Sequence, residues 1–495
     1  MRRIFVSAIN SRIFTIPVGA ILYCVLATGG IFYLFRNWAN DDPFITYRYS
    51  QNILNGWGFV YNPGERVLST TTPLFTLLLA ALSPLWNDLP RLAILIGALS
   101  IAFGALIIFC LANASNEPLV GWAGLLLYPP SQLLLYCLGS ETPLYITFCL
   151  ACFVFYRRSN YTFVAVFSAL AVLTRPDGIL VPVLLAADYL LNIRKPIPWK
   201  SVIIFFGLAA PWFIFSWVYF GSLIPVTLAA KHNQGLMSIN RNFGTGFLTI
   251  FNSFFLPWYY RIQAGIACLG IVYMIMKSRR WILFIAWPIF YSIAYKLLGA
   301  AYYFWYYAPL LPGFTVLVGL GLIGIDWILH LSDKAYYPGA MTRRISRFAI
   351  IAFLIIPAVF QIANTIKVGD KSTAPRYTIY RDVGNWLHSN TLPGARIGTL
   401  EVGIIGYYAE RPIIDFAGLI QPEIASHLGR HTSYADVADY AVQRFQPDYL
   451  VLQKGLFPNL ENGYASQNCR IVHRFPGAQY NYRYNIIIYE CSKSG

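Results

Sequence analysis

The chain has 495 residues, is 57% hydrophobic and 12% charged, and carries a formal net charge of +16, whereas a soluble domain is roughly 25% charged. Apolar runs of about 20 residues recur between Phe14 and Thr365, each long enough to cross about 30 Å of hydrocarbon, which excludes an ordinary soluble protein. Of the net charge, +14 falls in residues 1–365 and +2 in residues 366–495, so the positive excess belongs to loops between apolar runs, and no soluble basic face for a nucleic acid is formed.

Arg2, Arg3 and Arg12 precede the run from Phe14 to Phe35. That run is too long for a signal-peptide core and has no obvious small-residue cleavage site, so it is expected to be an uncleaved first helix with the N-terminus cytoplasmic. A polar stretch follows from Asn40 to Thr72, opening on adjacent carboxylates at Asp41 and Asp42 and holding Arg48 and the Glu65–Arg66 pair. Pro73 to Leu85 is apolar but only 13 residues long, which suits an interfacial or re-entrant helix better than a span. Leaving it out puts Arg157–Arg158, Arg194–Lys195–Lys200, Lys277–Arg279–Arg280 and Lys334–Arg343–Arg344 all inside, as the positive-inside rule requires. The expected spans are then 14–35, 91–112, 118–136, 142–156, 161–174, 178–192, 201–220, 262–276, 281–298, 303–326 and 347–365. Pro129–Pro130 is expected to kink the third.

This topology gathers the unusual polar residues on the outer side. They are Asp41, Asp42, Arg48, Glu65 and Arg66 in a first outer loop at 36–90, Glu141 in GSETPLY, and Arg175 and Asp177 in LTRPDG. Lys231, His232 and Arg241 follow in a loop from Gly221 to Arg261. Ionisable groups near membrane depth usually face a cavity or one another. A carboxylate there can take the proton of a hydroxyl that attacks an electrophilic carbon, while cations hold a departing phosphate. Nucleotide sugars are absent outside a bacterial cytoplasmic membrane, whereas a lipid-linked sugar phosphate is present, its tail lying between helices.

The residues also carry a resemblance. DDPFITYRYSQN, GFVYNPGERV, TTPLFTLLLA, GSETPLY, LTRPDG, GSLIPVTLAAKH, YYAPLLPG and GIIGYYAERPIIDFAGL, in this order, resemble the GT-C superfamily of polyprenyl-phosphate-sugar-dependent glycosyltransferases. The likeness is to the branch of the mycobacterial terminal arabinofuranosyltransferase and, more distantly, to lipid A aminoarabinose transferase and the protein O-mannosyltransferases. It implies a polytopic α-helical membrane protein of about 11 transmembrane helices, the GT-C fold, in a bacterial cytoplasmic membrane. It implies as partners a polyprenyl-phosphate sugar donor, a glycan, lipid or protein acceptor, and membrane lipids. It also implies a general base in the first outer loop, for which Asp41 is the better match, with Asp42 orienting the acceptor or tuning its neighbour. Glu141 resembles an acidic residue kept near the reaction site, and Arg48, Arg175, Lys231 and His232 are the candidates for donor phosphate. The adjacent Asp41–Asp42 pair departs from the Asp-Glu pair of the aminoarabinose transferases, so the division of roles stays open.

Each candidate has a plainer reading. Arg48 can be an interfacial anchor, Arg175 and Asp177 can pair across a turn shaped by Pro176 and Gly178, and His232 can be structural. The aromatic run from Tyr302 to Tyr307 reads most simply as an interfacial belt, with sugar stacking as the sharper alternative. No cofactor and no metal are expected, although Asp41, Asp42 and Glu141 could supply oxygen ligands to a divalent ion if the donor were a diphosphate. A ligase using such a donor, or a lipid or sugar transporter, are the rival readings.

Residues 1–365 are thus expected to form the membrane domain and 366–495 an extracytoplasmic α/β domain, read as a lid, a docking module or a structural unit. Its helices are expected at 376–389 and 434–445, and its strands at 396–400, 412–416, 449–452, 471–475 and 485–489. Cys469 and Cys491 flank the last two strands and can form a disulfide if these pair antiparallel. The other six cysteines read as packing residues.

Overall fold

The computed structural model describes residues 18–237, 240–333, 340–369 and 375–492. Arg2, Arg3, Arg12 and Lys334, on which part of the orientation reading rests, lie outside them. Helix α1 (Val18–Phe35) leads into the first long loop, which folds into two short helices, α2 (Pro43–Leu54) and α3 (Pro73–Leu82). Then come α4 (Leu89–Ala114), α5 (Pro118–Leu127), the single turn α6 (Gln132–Leu135), α7 (Thr142–Arg157), α8 (Tyr161–Thr174), α9 (Leu180–Asp188) and α10 (Trp199–Phe220). The segment read as a loop from Gly221 to Arg261 contains two helices, α11 (Val226–Leu236) and α12 (Phe243–Phe254), the latter started by a reciprocal Asn242–Thr245 cap. Helices α13 (Trp258–Lys277), α14 (Ile282–Leu298), α15 (Leu311–Asp333) and α16 (Ala340–Gly369) follow.

Within the described residues each of the eleven expected spans falls on helix, the third in two pieces. Among the described residues seven helical segments are long and apolar enough to cross a membrane, and the spans at α1, α5, α7 and α8 fall in a shorter group of 10–17 residues together with α3. The third span does not kink but breaks. Pro129 and Pro130 have no N–H to donate and crowd the preceding turn, so α5 stops at Leu127. The carbonyls this frees are taken up by α16: Gln361 Nε2 donates to Leu127 O at 3.0 Å and Thr365 Oγ1 to Pro130 O at 3.1 Å. At the end of the bundle carrying Arg157 and Arg280, Glu117 is 3% exposed, accepting from Ser278, Arg280 and Trp281; the sequence reading put little but lysine and arginine on that side.

The C-terminal part runs α17 (Pro375–Asn390), β1 (Ile397–Thr399), α18 (Gly403–Ala409), β2 (Ile413–Asp415), α19 (Pro422–His427), α20 (Tyr434–Phe445), β3 (Tyr449–Gln453), β4 (Cys469–Phe475) and β5 (Ile486–Cys491). Its sheet has the order β2-β1-β3-β5-β4, with β2, β1 and β3 parallel and β5 antiparallel to both neighbours. The β4–β5 register sets Cys469 opposite Cys491, and the two are disulfide-bonded. The other cysteines are unbonded.

Two large apolar clusters organise the molecule. One fills the helical bundle around Tyr128, Tyr145, Trp281 and Trp287. The other runs without interruption from Phe44, Tyr49 and Tyr61 of the first long loop into Ile379, Ile404, Leu450 and Ile488 of the C-terminal part. The loop therefore does not stand free above the bundle: its apolar face is covered by the sheet domain.

Candidate active site

A cavity of about 650 Å³ opens between the first long loop, α11 and the bundle. Its apolar lining includes Ile179, Leu180, Phe213, Leu223, Ile224 and Leu228. Its polar lining includes Asp42, Glu141, Arg175, Asp177, Lys231 and His232, with the hydroxyl-bearing run Ser69, Thr70, Thr71 and Thr72. Among the described residues no group of three or more His, Cys, Asp or Glu converges in the manner of a metal site.

Asp42 stands at the start of α2, where Pro43 occupies the first helical position and needs no N–H partner. Its carboxylate accepts a hydrogen bond from Lys231 Nζ at 3.0 Å across the cavity. Burial alone would drive Lys231 toward neutrality, but the charge and hydrogen bond of Asp42, together with Tyr306 and Glu141, outweigh it and hold the ammonium above its usual range. Three rings also surround the ammonium, Tyr303 at 4.8 Å, Trp305 at 5.3 Å and Tyr306 at 6.0 Å from Nζ to their centroids. These belong to the aromatic run read as an interfacial belt. The turn of 3₁₀-helix at Phe304–Leu310 instead turns Phe304, Trp305 and Tyr306 onto the cavity wall.

Arg175 faces the same cavity with its donors already engaged. It donates from Nη1 to Glu141 Oε1 at 2.9 Å, from Nη2 to Asp177 Oδ2 at 2.9 Å and from Nε to Asp177 Oδ1 at 3.1 Å. Nη2 also reaches Tyr295 Oη at 3.0 Å, and that hydroxyl donates to Asp177 at 2.6 Å. The pairing of Arg175 with Asp177 across the Pro176–Ile179 turn, one of the two readings of LTRPDG, is present. A Cβ on Gly178 would lie 2.5 Å from the Ala171 carbonyl group, so the turn admits no side chain there. This clasp joins the starts of α7 and α9 to α14, and Glu141 is a member of it.

Other candidates fall elsewhere. His232 lines the cavity while its Nδ1 contacts Leu298 O at 2.8 Å. Arg48 is 2% exposed and lies outside the cavity lining, donating to Gln51 at 3.1 Å, which in turn donates to Glu410 at 2.6 Å. That position faces neither the cavity nor a membrane surface. Asp41, the expected base, is also outside the lining. Its Oδ2 accepts from Gly403 N at 2.8 Å and its Oδ1 from Ile404 N at 2.9 Å. Burial first and the Glu401 charge second push its carboxyl up to about 7 against the pull of Arg376 and the two N–H groups.

Three features escaped the sequence reading: the hydroxyl wall, signalled by the run Ser69 to Thr72; the ring cage of Lys231, hidden in an apolar-looking aromatic run; and the Tyr295 contact, which only the fold brings into reach.

A family profile described as a domain of unknown function (DUF8728) matches residues 366–489. No curated protein matches the sequence. Among solved structures, ArnT from Cupriavidus metallidurans bound to undecaprenyl phosphate superposes with a TM-score of 0.63 at 15% identity, covering 97% of this chain and 99% of that one. ArnT of the same organism in the apo state gives 0.62 at 15% identity over 95% and 98%. The arabinofuranosyltransferase AftD from Mycobacteria gives 0.53 at 14% identity over 95% of this chain and 40% of that one. At such identities the likeness concerns architecture, and with the two ArnT structures it is nearly end to end: the chain shares their polytopic helical fold, with a small C-terminal α/β sheet.

Proposed function

We propose that this protein is a membrane glycosyltransferase that moves a sugar from a polyprenyl-phosphate donor to a hydroxyl acceptor at the outer face of a bacterial cytoplasmic membrane. The observation that carries the reading is the Asp42–Lys231 pair, 3.0 Å apart, on the wall of a cavity lined by both charged and apolar residues. A volume of about 650 Å³ falls within the ordinary range of ligand sites and accommodates a sugar phosphate with the first part of a lipid. The fold neighbour bound to undecaprenyl phosphate supports the same donor class.

In this scheme the donor phosphate enters beside Lys231 and competes for its ammonium, releasing the Asp42 carboxylate. Asp42 then accepts the proton of the acceptor hydroxyl as that oxygen bonds to the anomeric carbon. The bond from anomeric carbon to phosphate oxygen breaks, the electron pair leaves with the phosphate, and Lys231 stabilises the charge. The products are the glycosylated acceptor and polyprenyl phosphate. A single displacement of this kind inverts the anomeric centre. Arg175 is spent on Glu141, Asp177 and Tyr295, so Lys231 is the lining cation that faces the open space among the described residues. One lysine suits the single charge of a phosphodiester better than the greater charge of a diphosphate. The test is transfer by purified protein from a panel of synthetic polyprenyl-phosphate sugars, with and without chelator. Turnover that requires a diphosphate donor and a divalent ion would replace this reading with the ligase.

A further inference from the structure

Asp42 and Lys231 are 189 positions apart in the chain, and the segments that carry both are fastened to the C-terminal sheet domain. On the loop side Asp41 binds the amides of Gly403 and Ile404 with its two oxygens, at 2.8 and 2.9 Å. Tyr61 Oη donates to Val402 O at 2.6 Å, and Asn62 both donates to and accepts from the backbone of Ile413, each at 2.9 Å. On the α11 side Asn233 Nδ2 donates to Ala425 O and Gln234 Nε2 to Ala417 O, both at 3.0 Å. The fit leaves no slack at two glycines: a Cβ on Gly403 would sit 1.9 Å from Asp41 O, and one on Gly406 1.9 Å from Tyr61 Oη. A half-buried carboxylate outside the cavity lining, with an amide on each oxygen, is poorly placed to receive a substrate proton. It is well placed to fix the backbone of the next residue, and the next residue is Asp42.

We propose that the C-terminal domain is the positioning element of the reacting pair. It sets Asp42 through Asp41, and Lys231 through Asn233 and Gln234, so Asp41 is a positioning residue and not the proton acceptor. The inference rests on the assignment of Asp42 and Lys231 to the transfer step. Misplacing a reacting group by about 1 Å can cost on the order of 10²-fold in rate, which gives the scale of the effect.

The experiment uses the full chain in lipid nanodiscs, a polyprenyl-phosphate sugar that the wild type turns over, and polyprenyl phosphate alone as a binding probe. Asp41→Ala is expected to lower kcat by about 10²-fold, to leave the affinity for polyprenyl phosphate within about twofold, and to speed amide exchange at Gly403, Ile404 and Ile413. Asp41→Asn, which keeps one acceptor oxygen, is expected to recover part of the rate. Gly403→Ala is expected to reproduce the loss of kcat without altering any carboxylate, and Gln234→Ala to raise the KM for donor. Retained binding of polyprenyl phosphate certifies that the Asp41 and Gly403 variants are folded, and a retained kcat does so for Gln234→Ala. If Asp41→Ala and Gly403→Ala speed exchange but transfer at the wild-type rate, the positioning role is overturned while Asp42 keeps its assignment. If Asp41→Ala and Asp41→Asn lose transfer as fully as Asp42→Asn while Gly403→Ala is fully active, Asp41 is the reacting base and both readings fall.

Discussion

Replacing Arg175 by Met distinguishes a buried clasp from a phosphate-binding arginine. The guanidinium side chain is 7% exposed, and its partners Glu141 and Asp177 are 13% and 10% exposed. Removing the cation strands two nearly dry carboxylates, and breaking such a pair from one side costs about 3–5 kcal/mol. At about 1.4 kcal/mol per tenfold, this shifts the closed clasp toward open states by about 10²- to 10³-fold. The expected result is a clear fall in the thermal midpoint of the detergent-solubilised protein, read by the fluorescence of its buried tryptophans. Arg175→Lys is expected to recover little, because a point charge cannot span Glu141, Asp177 and Tyr295 as the planar fork does. The triple change Arg175→Met, Glu141→Gln, Asp177→Asn removes the stranded charges and is expected to regain most of the midpoint. An Arg175→Met protein with an unchanged midpoint and a raised KM for donor would refute the clasp and return Arg175 to the phosphate.

Lys231→Met removes, among the described residues, the lining cation left outside the Arg175 clasp and is expected to weaken polyprenyl-phosphate binding by on the order of 10²-fold, with Lys231→Arg intermediate, measured by titration of the lipid phosphate. Burial pushes the carboxyls of Asp41 and Asp415 each up to about 7, above the unfolded value of about 3.9. Folding therefore takes up protons at both, and the stability they contribute is fully present below about pH 4 and is lost as pH rises through about 7. The thermal midpoint of the C-terminal part is expected to fall across that window, and Asp415→Asn to flatten the fall. The disulfide closes a separation of 22 residues, so Cys469→Ser with Cys491→Ser is expected to cost about 3 kcal/mol. Intact mass before and after reduction and alkylation checks that the bond forms.

The helices were legible because membrane spans announce themselves by length and apolarity, and the short run at 73–85 by falling below that length; it is α3. The strands of the tail were legible in position but not in order, since which neighbours pair in parallel depends on contacts far apart in the chain. At the site, Asp41–Asp42 stood out as a charged pair beside apolar runs, and Arg175–Asp177 as a turn with complementary ends. What could not be read was which aspartate lines the cavity. Adjacent residues at a helix start point about 100° apart, and here the choice is made by Gly403 and Ile404, more than 360 positions away. Arg48 misled for a similar reason: a cation in a polar loop looks available until the sheet domain is seen to cover it. The aromatic run misled because a belt and a cage around Lys231 have the same composition and differ only in which way a short 3₁₀ turn presents the rings.

The most direct measurement is the transfer rate of Asp42→Asn beside that of Asp41→Asn, with the same polyprenyl-phosphate sugar and a saturating hydroxyl acceptor. Asn preserves the shape of the side chain and removes its capacity to accept the proton. A positioned general base contributes about 10²- to 10⁴-fold. The account predicts a loss of that size in Asp42→Asn with polyprenyl phosphate still bound, and a smaller loss in Asp41→Asn. Full transfer by Asp42→Asn would contradict it.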